Sequence, residues 1–164
     1  MLAWVCGEVC IWKPSEKTPL CGIACQNIIS EEKKKNNVPE GVSGLVIGGR
    51  DVGEWMSADT RMPLLSATGS TRMGKAVSAA VGARLGRALL ELGGNNAIII
   101  SKDADLNIAV LGSVFGAVGT AGQRCTSTRR LIIHEDIYET IKNKLVAAYK
   151  QLRIGDPLDQ NNHV

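Results

Sequence analysis

Cys125 stands in the stretch GTAGQRCTSTRR (119–130), among glycines, a glutamine, arginines and hydroxyl-bearing residues. A structural cysteine sits among apolar neighbours and behaves as a small hydrophobe. The neighbours of Cys125 instead donate hydrogen bonds, and the glycines leave room for a ligand. Arg124 and Arg129 favour a thiolate, the reactive form, over the thiol. The chemistry such a residue offers is attack on an electrophilic carbon with a covalent intermediate, and it calls for a base. Glu91 lies 34 residues earlier in ELGGNN (91–96), after the apolar run ALL and before Gly93 and Gly94. A carboxylate at a strand end beside a glycine pair has open space in front of it, and an apolar setting raises its pKa toward that of a general base. The plainer alternative is a strand-end glutamate in solvent.

Two further stretches suit a nucleotide. In WKPSEKTP (12–19), Lys13 and Glu16 follow a predicted strand in a proline-stiffened loop. Open α/β sheets bind ligands at the carboxyl ends of their strands. A lysine and a carboxylate there can hold the two hydroxyls of a ribose, or simply pair with each other. GSTRMGKA (69–76) matches the Walker pattern at Gly69, Gly74 and Lys75, but Ala76 replaces the hydroxyl that holds magnesium. NTP hydrolysis is thereby disfavoured. What survives is a strand, Gly69, Ser70 and a helix start, where free N–H groups and the helix dipole suit a phosphate. An ordinary helix cap is the competing reading.

The elements that must carry these residues alternate. EVCIW (8–12), GLVIGG (44–49), MPLLSAT (62–68), RALLELGG (87–94), NAIIIS (96–101) and RRLIIHE (129–135) read as strands. Helices are expected over 18–35, with Thr18 as N-cap and Pro19 at the first position, and over 51–59, from Ser70 or Thr71 to 86, 103–122 and 136–153. The 103–122 helix is apolar enough to be buried. In the last helix Ile137, Ile141, Leu145 and Tyr149 recur at i+4. The EEKKK run (31–35) reads as a solvated helix end. Strand–helix–strand alternation predicts an α/β fold with a mostly parallel sheet.

The totals bound the function. The chain has 164 residues, 45% apolar and 21% charged, with a net charge of +3. That mild charge and the 4% aromatic content argue against a nucleic-acid partner. No apolar run reaches membrane-span length, and MLAWVCGEVC lacks the basic start of a signal peptide. Five cysteines suit a reducing compartment better than a disulfide framework. Cys6, Cys10, Cys21 and Cys25 are spaced too widely for C-x-x-C metal sites, with His134 and His163 far off in sequence, so core packing is expected for them and no metal.

Four motifs in this order, WKPSEKTPL, ATGSTRMG, ELGGNNAIII and GTAGQRCT, resemble the aldehyde dehydrogenase superfamily, and the resemblance runs over essentially the whole chain. The LGGNNAI and GTAGQRCT versions most resemble its antiquitin branch, which oxidises α-aminoadipic semialdehyde and its cyclic form, piperideine-6-carboxylate, in lysine catabolism. The resemblance implies a Rossmann-like coenzyme-binding domain over 1–93 and the start of a catalytic domain over 94–164. It implies NAD as cofactor, a small aldehyde as substrate and a homo-oligomeric (tetrameric) parent, cytoplasmic or mitochondrial. By matching position it makes Cys125 the nucleophile and Glu91 the base. Lys13 and Glu16 fall at the adenosine ribose, Gly53 on the adenine side, Gly69 and Ser70 at the pyrophosphate, Leu92 at the nicotinamide and Thr126 at the substrate.

There are departures from the family. Its oxyanion-hole asparagine belongs upstream of WKPSEKTPL, and a Glu-x-Phe-Gly-Pro segment that holds the nicotinamide ribose belongs downstream. Ala67 replaces the usual phenylalanine before Thr-Gly-Ser. Loss of one oxyanion donor costs on the order of 100- to 1,000-fold in rate. These 164 residues therefore read as an internal fragment, expected not to turn over aldehydes alone. The alternatives are a truncated non-catalytic remnant and an acyl-cysteine enzyme of another class, which Glu91 disfavours.

Overall fold

The structure, a computed structural model, describes residues 2–164. The chain forms two compact units, Met1–Ala67 with Arg72–Leu90 and Thr68–Thr71 with Glu91–Val164. Strands pair two by two instead of joining into one sheet.

In the first unit a short helix α1 (Leu2–Val5), not foreseen from sequence, leads to β1 (Cys10–Trp12). β1 pairs in parallel with β2 (Ser43–Leu45), Cys10 opposite Ser43 and Trp12 opposite Leu45. The crossover is α2 (Pro19–Lys35). Pro19 starts α2 because its missing N–H costs nothing in the first turn. Thr18 takes the cap position without a side-chain bond. Gly22 is buried where α2 passes over Pro14: a Cβ there would lie 2.9 Å from Pro14 Cγ. The lysine run is not wholly solvated, since Lys33 Nζ donates to the Glu40 and Ser43 carbonyls at 2.6 and 3.1 Å. These bonds tie the end of α2 to the entry of β2.

α3 (Arg50–Ala58) follows. β3 (Leu64–Gly69) and β4 (Arg87–Leu92) then pair, joined by α4 (Thr71–Ala83). The Arg87 N–H bonds the Pro63 carbonyl at 2.9 Å and ties the start of one strand to that of the other.

In the second unit β5 (Ala97–Ile100) and β6 (Arg130–Ile133) run parallel, with Ile100 opposite Ile133. Between them lies α5 (Leu106–Val118), which starts as expected at a cap: the Asp105 carboxylate accepts from the Asn107 and Ile108 N–H groups. α6 (Tyr138–Tyr149) closes the unit and buries Ile141 completely. The polar tail is folded back. His163 and Val164 donate their N–H groups to the Arg153 carbonyl, and the Arg153 guanidinium bonds the Asn161 carbonyl.

Two burial expectations fail. α5 is apolar but not enclosed: Ile108, Leu111 and Phe115, at i, i+3 and i+7, form an open stripe 72, 72 and 62% exposed. A helix apolar all round has two faces to cover, and α6 covers only one. Cys6, Cys21 and Cys25 are exposed and Cys10 half-buried, all as free thiols. The buried face of α2 is set by Gly22, which leaves Cys21 and Cys25 outside.

The accessible surface is 12069 Å² for a 17.5 kDa chain. A compact monomer of this mass exposes roughly 7,900 Å², and even two separate bodies of half the mass roughly 9,500 Å². Among the described residues the buried apolar side chains are Val81, Ile100 and Ile141.

Candidate active site

Cys125 sits in a turn between α5 and β6. It is exposed, and its backbone is held from both sides. The Ser127 N–H donates to the Arg124 carbonyl at 3.1 Å, and the Arg124 N–H donates to Ser127 Oγ at 3.1 Å. Asn96 Nδ2 donates to the carbonyls of Cys125 and Ser127 at 2.6 and 3.2 Å. The Asn96 carbonyl accepts from the Arg129 and Arg130 N–H groups at 2.9 and 3.1 Å. Asn96 thus bonds both the turn and the strand that leaves it. Ser127, 2% exposed, is the pivot of the turn. Among the described residues the N–H groups of Cys125 and Thr126 donate to nothing, and the side chain of Thr126 is exposed.

The approach to this turn is unusual. Thr120, Ala121 and Gly122 have φ of 55, 53 and 69°. L-residues pay about 1–2 kcal/mol each for that left-handed region. One offsetting bond is Arg124 Nε to Thr120 Oγ1 at 2.8 Å, and the same guanidinium lies 5.4 Å from the Phe115 ring centre. The sequence suggested that Arg124 supports a thiolate. In the structure its guanidinium is engaged with Thr120 and Phe115 instead.

Glu91 is the next-to-last residue of β4 and belongs to the same compact unit as Cys125. Its side chain is exposed, so the apolar setting expected for it is not present; the glycine pair that follows lets solvent in. No hydrogen bond joins Glu91 to Cys125 among the described residues. Leu92, half-buried, ends β4. Gly69 ends β3 and Ser70 precedes the first turn of α4, giving the expected strand–Gly–Ser–helix order. These residues all fall in the second unit.

Lys13, Glu16 and Gly53 fall in the first unit. Lys13 Nζ donates to the Pro14 and Gly48 carbonyls at 2.8 and 2.9 Å and lies 3.9 Å from Glu16 Oε2. The lysine is mostly covered, whereas Glu16 is 62% exposed. Gly53, in the first turns of α3, comes close enough that a Cβ would lie 3.8 Å from Lys13 Cε. The lysine is thus held by backbone oxygens and the carboxylate stays open. This donor set fits a ribose diol beside a helix start: a held ammonium donates and an open carboxylate accepts. Sequence reasoning did not single out Asn96 or Gly48. The signal for Asn96 was its place two residues after the glycine pair, but its partner lies far along the chain.

The fold and site place the chain in the α/β class, with parallel strand pairs that present polar loops at their ends. It belongs to the aldehyde dehydrogenase family, whose pattern matches residues 1–164. An alpha-aminoadipic semialdehyde dehydrogenase of Bos taurus is 49% identical over 160 residues, covering 98% of this chain and 30% of its own length. The aldehyde dehydrogenase family 7 member B4 of Arabidopsis thaliana is 47% identical over 159 residues, covering 97% and 31%. Among solved structures, the glyceraldehyde-3-phosphate dehydrogenase GapN of Methanocaldococcus jannaschii, complexed with NADP, aligns with a TM-score of 0.91 at 36% identity, covering 95% of this chain and 34% of that one. The betaine aldehyde dehydrogenase of Staphylococcus aureus, in complex with NAD+, aligns at 0.87 and 30%, covering 95% and 30%. The chain spans about a third of the length of the curated relatives it matches. Family membership and these neighbours support a nicotinamide cofactor. Among the described residues no helix is long and apolar enough to cross a membrane, and no group of metal-ligating side chains is gathered.

Proposed function

We propose that this chain carries the nucleophile, the base and part of the cofactor cradle of an NAD-dependent aldehyde dehydrogenase acting on α-aminoadipic semialdehyde. The observation that carries the reading is the exposed Cys125 thiol on a turn pinned from both sides, with N–H groups at its own position and the next that donate to nothing among the described residues. The 49% identity to the alpha-aminoadipic semialdehyde dehydrogenase of Bos taurus supports this choice of substrate. The boundary proposed here, between residues 93 and 94, parts a partial NAD-binding domain from the start of an incomplete catalytic domain. Five free thiols suit a reducing, cytoplasmic setting. The whole protein is a homo-oligomer, a tetramer by the family resemblance.

In this reading the Cys125 sulfur attacks the aldehyde carbon. A C–S bond forms, and the carbonyl oxygen becomes an oxyanion held by the Cys125 N–H. NAD, when bound, supplies the acceptor for the hydride that the thiohemiacetal loses as it becomes a thioester. Glu91 then takes a proton from water. The resulting hydroxide adds to the thioester carbon, the C–S bond breaks, and a carboxylic acid leaves with Cys125 restored. Exposure of Glu91 suits a base that works on a water molecule instead of on the thiol directly. By the family resemblance, Lys13 and Glu16 would hold the adenosine ribose, Gly53 the adenine side, Gly69 and Ser70 the pyrophosphate, Leu92 the nicotinamide end and Thr126 the substrate. Glu16 sets the choice of NAD over NADP, because its open carboxylate repels a 2′-phosphate.

The test uses the active protein that carries this sequence. Cys125→Ser is expected to abolish NADH formation from α-aminoadipic semialdehyde. Glu91→Gln is expected to give one burst of NADH and then stall as an acyl-enzyme visible by intact mass. Full turnover by Cys125→Ser would sink the reading. Steady turnover by Glu91→Gln would remove Glu91 from the role of base.

A further inference from the structure

We infer that Asn96 is the positioning residue for Cys125: its side-chain amide fixes the peptide plane that follows the nucleophile and so aims both the thiol and the adjacent N–H groups. The inference rests on the reading of Cys125 as the nucleophile. A residue's side chain leaves the backbone in a direction set by φ and ψ, and each is fixed when the flanking peptide planes are fixed. The plane before Cys125 is held by the Ser127 N–H bonding the Arg124 carbonyl at 3.1 Å. The plane after it is held by Asn96 Nδ2 at 2.6 Å from the Cys125 carbonyl. The second Nδ2 hydrogen goes to the Ser127 carbonyl at 3.2 Å, so both donors of the amide are spent on this one turn.

The anchor is itself anchored. The Asn96 carbonyl takes the N–H groups of Arg129 and Arg130, and Ala97 opposite Arg130 begins the β5–β6 ladder. The Arg130 guanidinium bonds the carbonyl of Asn95 at 2.8 Å. Residues 95–97 are thus a rigid post at the start of a strand, and Asn96 reaches from that post to the exposed turn. Arg124 cannot replace it, because its guanidinium is engaged with Thr120 and Phe115.

The consequence is selective. Alkylation by iodoacetamide asks only that the sulfur be reachable: an S–C bond forms and iodide leaves. Acylation by p-nitrophenyl acetate asks for more. The sulfur adds to the ester carbonyl, an oxyanion develops, and p-nitrophenolate leaves as the thioester forms. That oxyanion must meet the correctly turned N–H groups. Loss of Asn96 therefore lowers acylation of Cys125 and leaves its alkylation nearly unchanged.

The experiment measures both rates at Cys125 by peptide mass spectrometry in the active protein that carries this sequence, with Cys21 as the internal control. Asn96→Asp keeps the shape and removes the donor. Asn96→Ser removes reach without adding charge. Both are expected to lower the acylation-to-alkylation ratio at Cys125 by at least about tenfold, the scale of a misplaced reacting group, with the Cys21 ratio unchanged. A Cys125 ratio above that of Cys21 in the parent and retained in both variants overturns the role of Asn96 alone. A parent ratio at Cys125 no higher than at Cys21 overturns the nucleophile reading and this inference with it. Should Asn96→Asp lose its far-UV circular dichroism, Asn96→Ser decides.

Discussion

At the scale of single residues, most charged groups act through local geometry. Asp59 ends α3 and accepts from the backbone and guanidinium of Arg61, with Nη2 at 2.6 Å. That side-chain bond is the main reason its carboxyl titrates at about 2 in place of 3.8. A depressed carboxylate stabilises the folded chain above its unfolded pKa, and the contribution is lost as pH falls through the folded one. Stability from this pair is therefore complete above about pH 4 and lost toward pH 2. Carboxyl NMR of Asp59 is expected to show the low midpoint, and Arg61→Ala is expected to return it toward the ordinary value. Sequence singled out Cys125, Glu91, Lys13 and Glu16 as candidates, because each is a reactive type within three residues of a glycine or proline. Their partners were not legible in it. The bonds from Lys13 to Gly48 and from Asn96 to Cys125 join residues 35 and 29 positions apart, and nothing local announces such pairs.

At the scale of elements, the order of strands and helices followed from periodicity and punctuation. The Pro19 start, the Asp105 cap and the Gly69–Ser70 corner each appear where local chemistry puts them. Strand lengths did not follow. EVCIW reads as five residues, yet only Cys10–Trp12 pair, because pairing depends on the neighbouring strand and not on apolar content. Burial of α5 failed for the same reason: hydropathy says that a face wants cover, not what supplies it. The contact between α2 and the Lys13 loop gives a prediction here. Gly22→Ala drives a Cβ to 2.9 Å from Pro14 Cγ. Overpacking of this kind costs about 1–3 kcal/mol. Thermal unfolding is expected to come earlier, and, on the proposed role of Lys13, nicotinamide-cofactor binding in the active protein to weaken, since the Pro14 carbonyl is one of the two that hold Lys13.

At the scale of the whole molecule, surface decides behaviour. The stripe Ile108, Leu111 and Phe115 is exposed, with Ile99 and Ile132 open on β5 and β6. Exposed apolar side chains of this kind favour association. Ile108→Glu with Phe115→Glu is expected to raise the soluble, monomeric fraction in size-exclusion chromatography. An unchanged elution profile would show that the stripe is not what associates.

The left-handed run at Thr120 and Ala121 bears on evolution and engineering more than on any one reaction step. A site that spends conformational energy to present a side chain is one where stability and activity pull apart. Ala121→Gly relieves a strained φ and is expected to raise the melting temperature modestly, by no more than about 1 kcal/mol of stability. The same change loosens the backbone just upstream of Cys125. A screen for heat resistance would therefore enrich this glycine, whereas a screen for turnover would remove it.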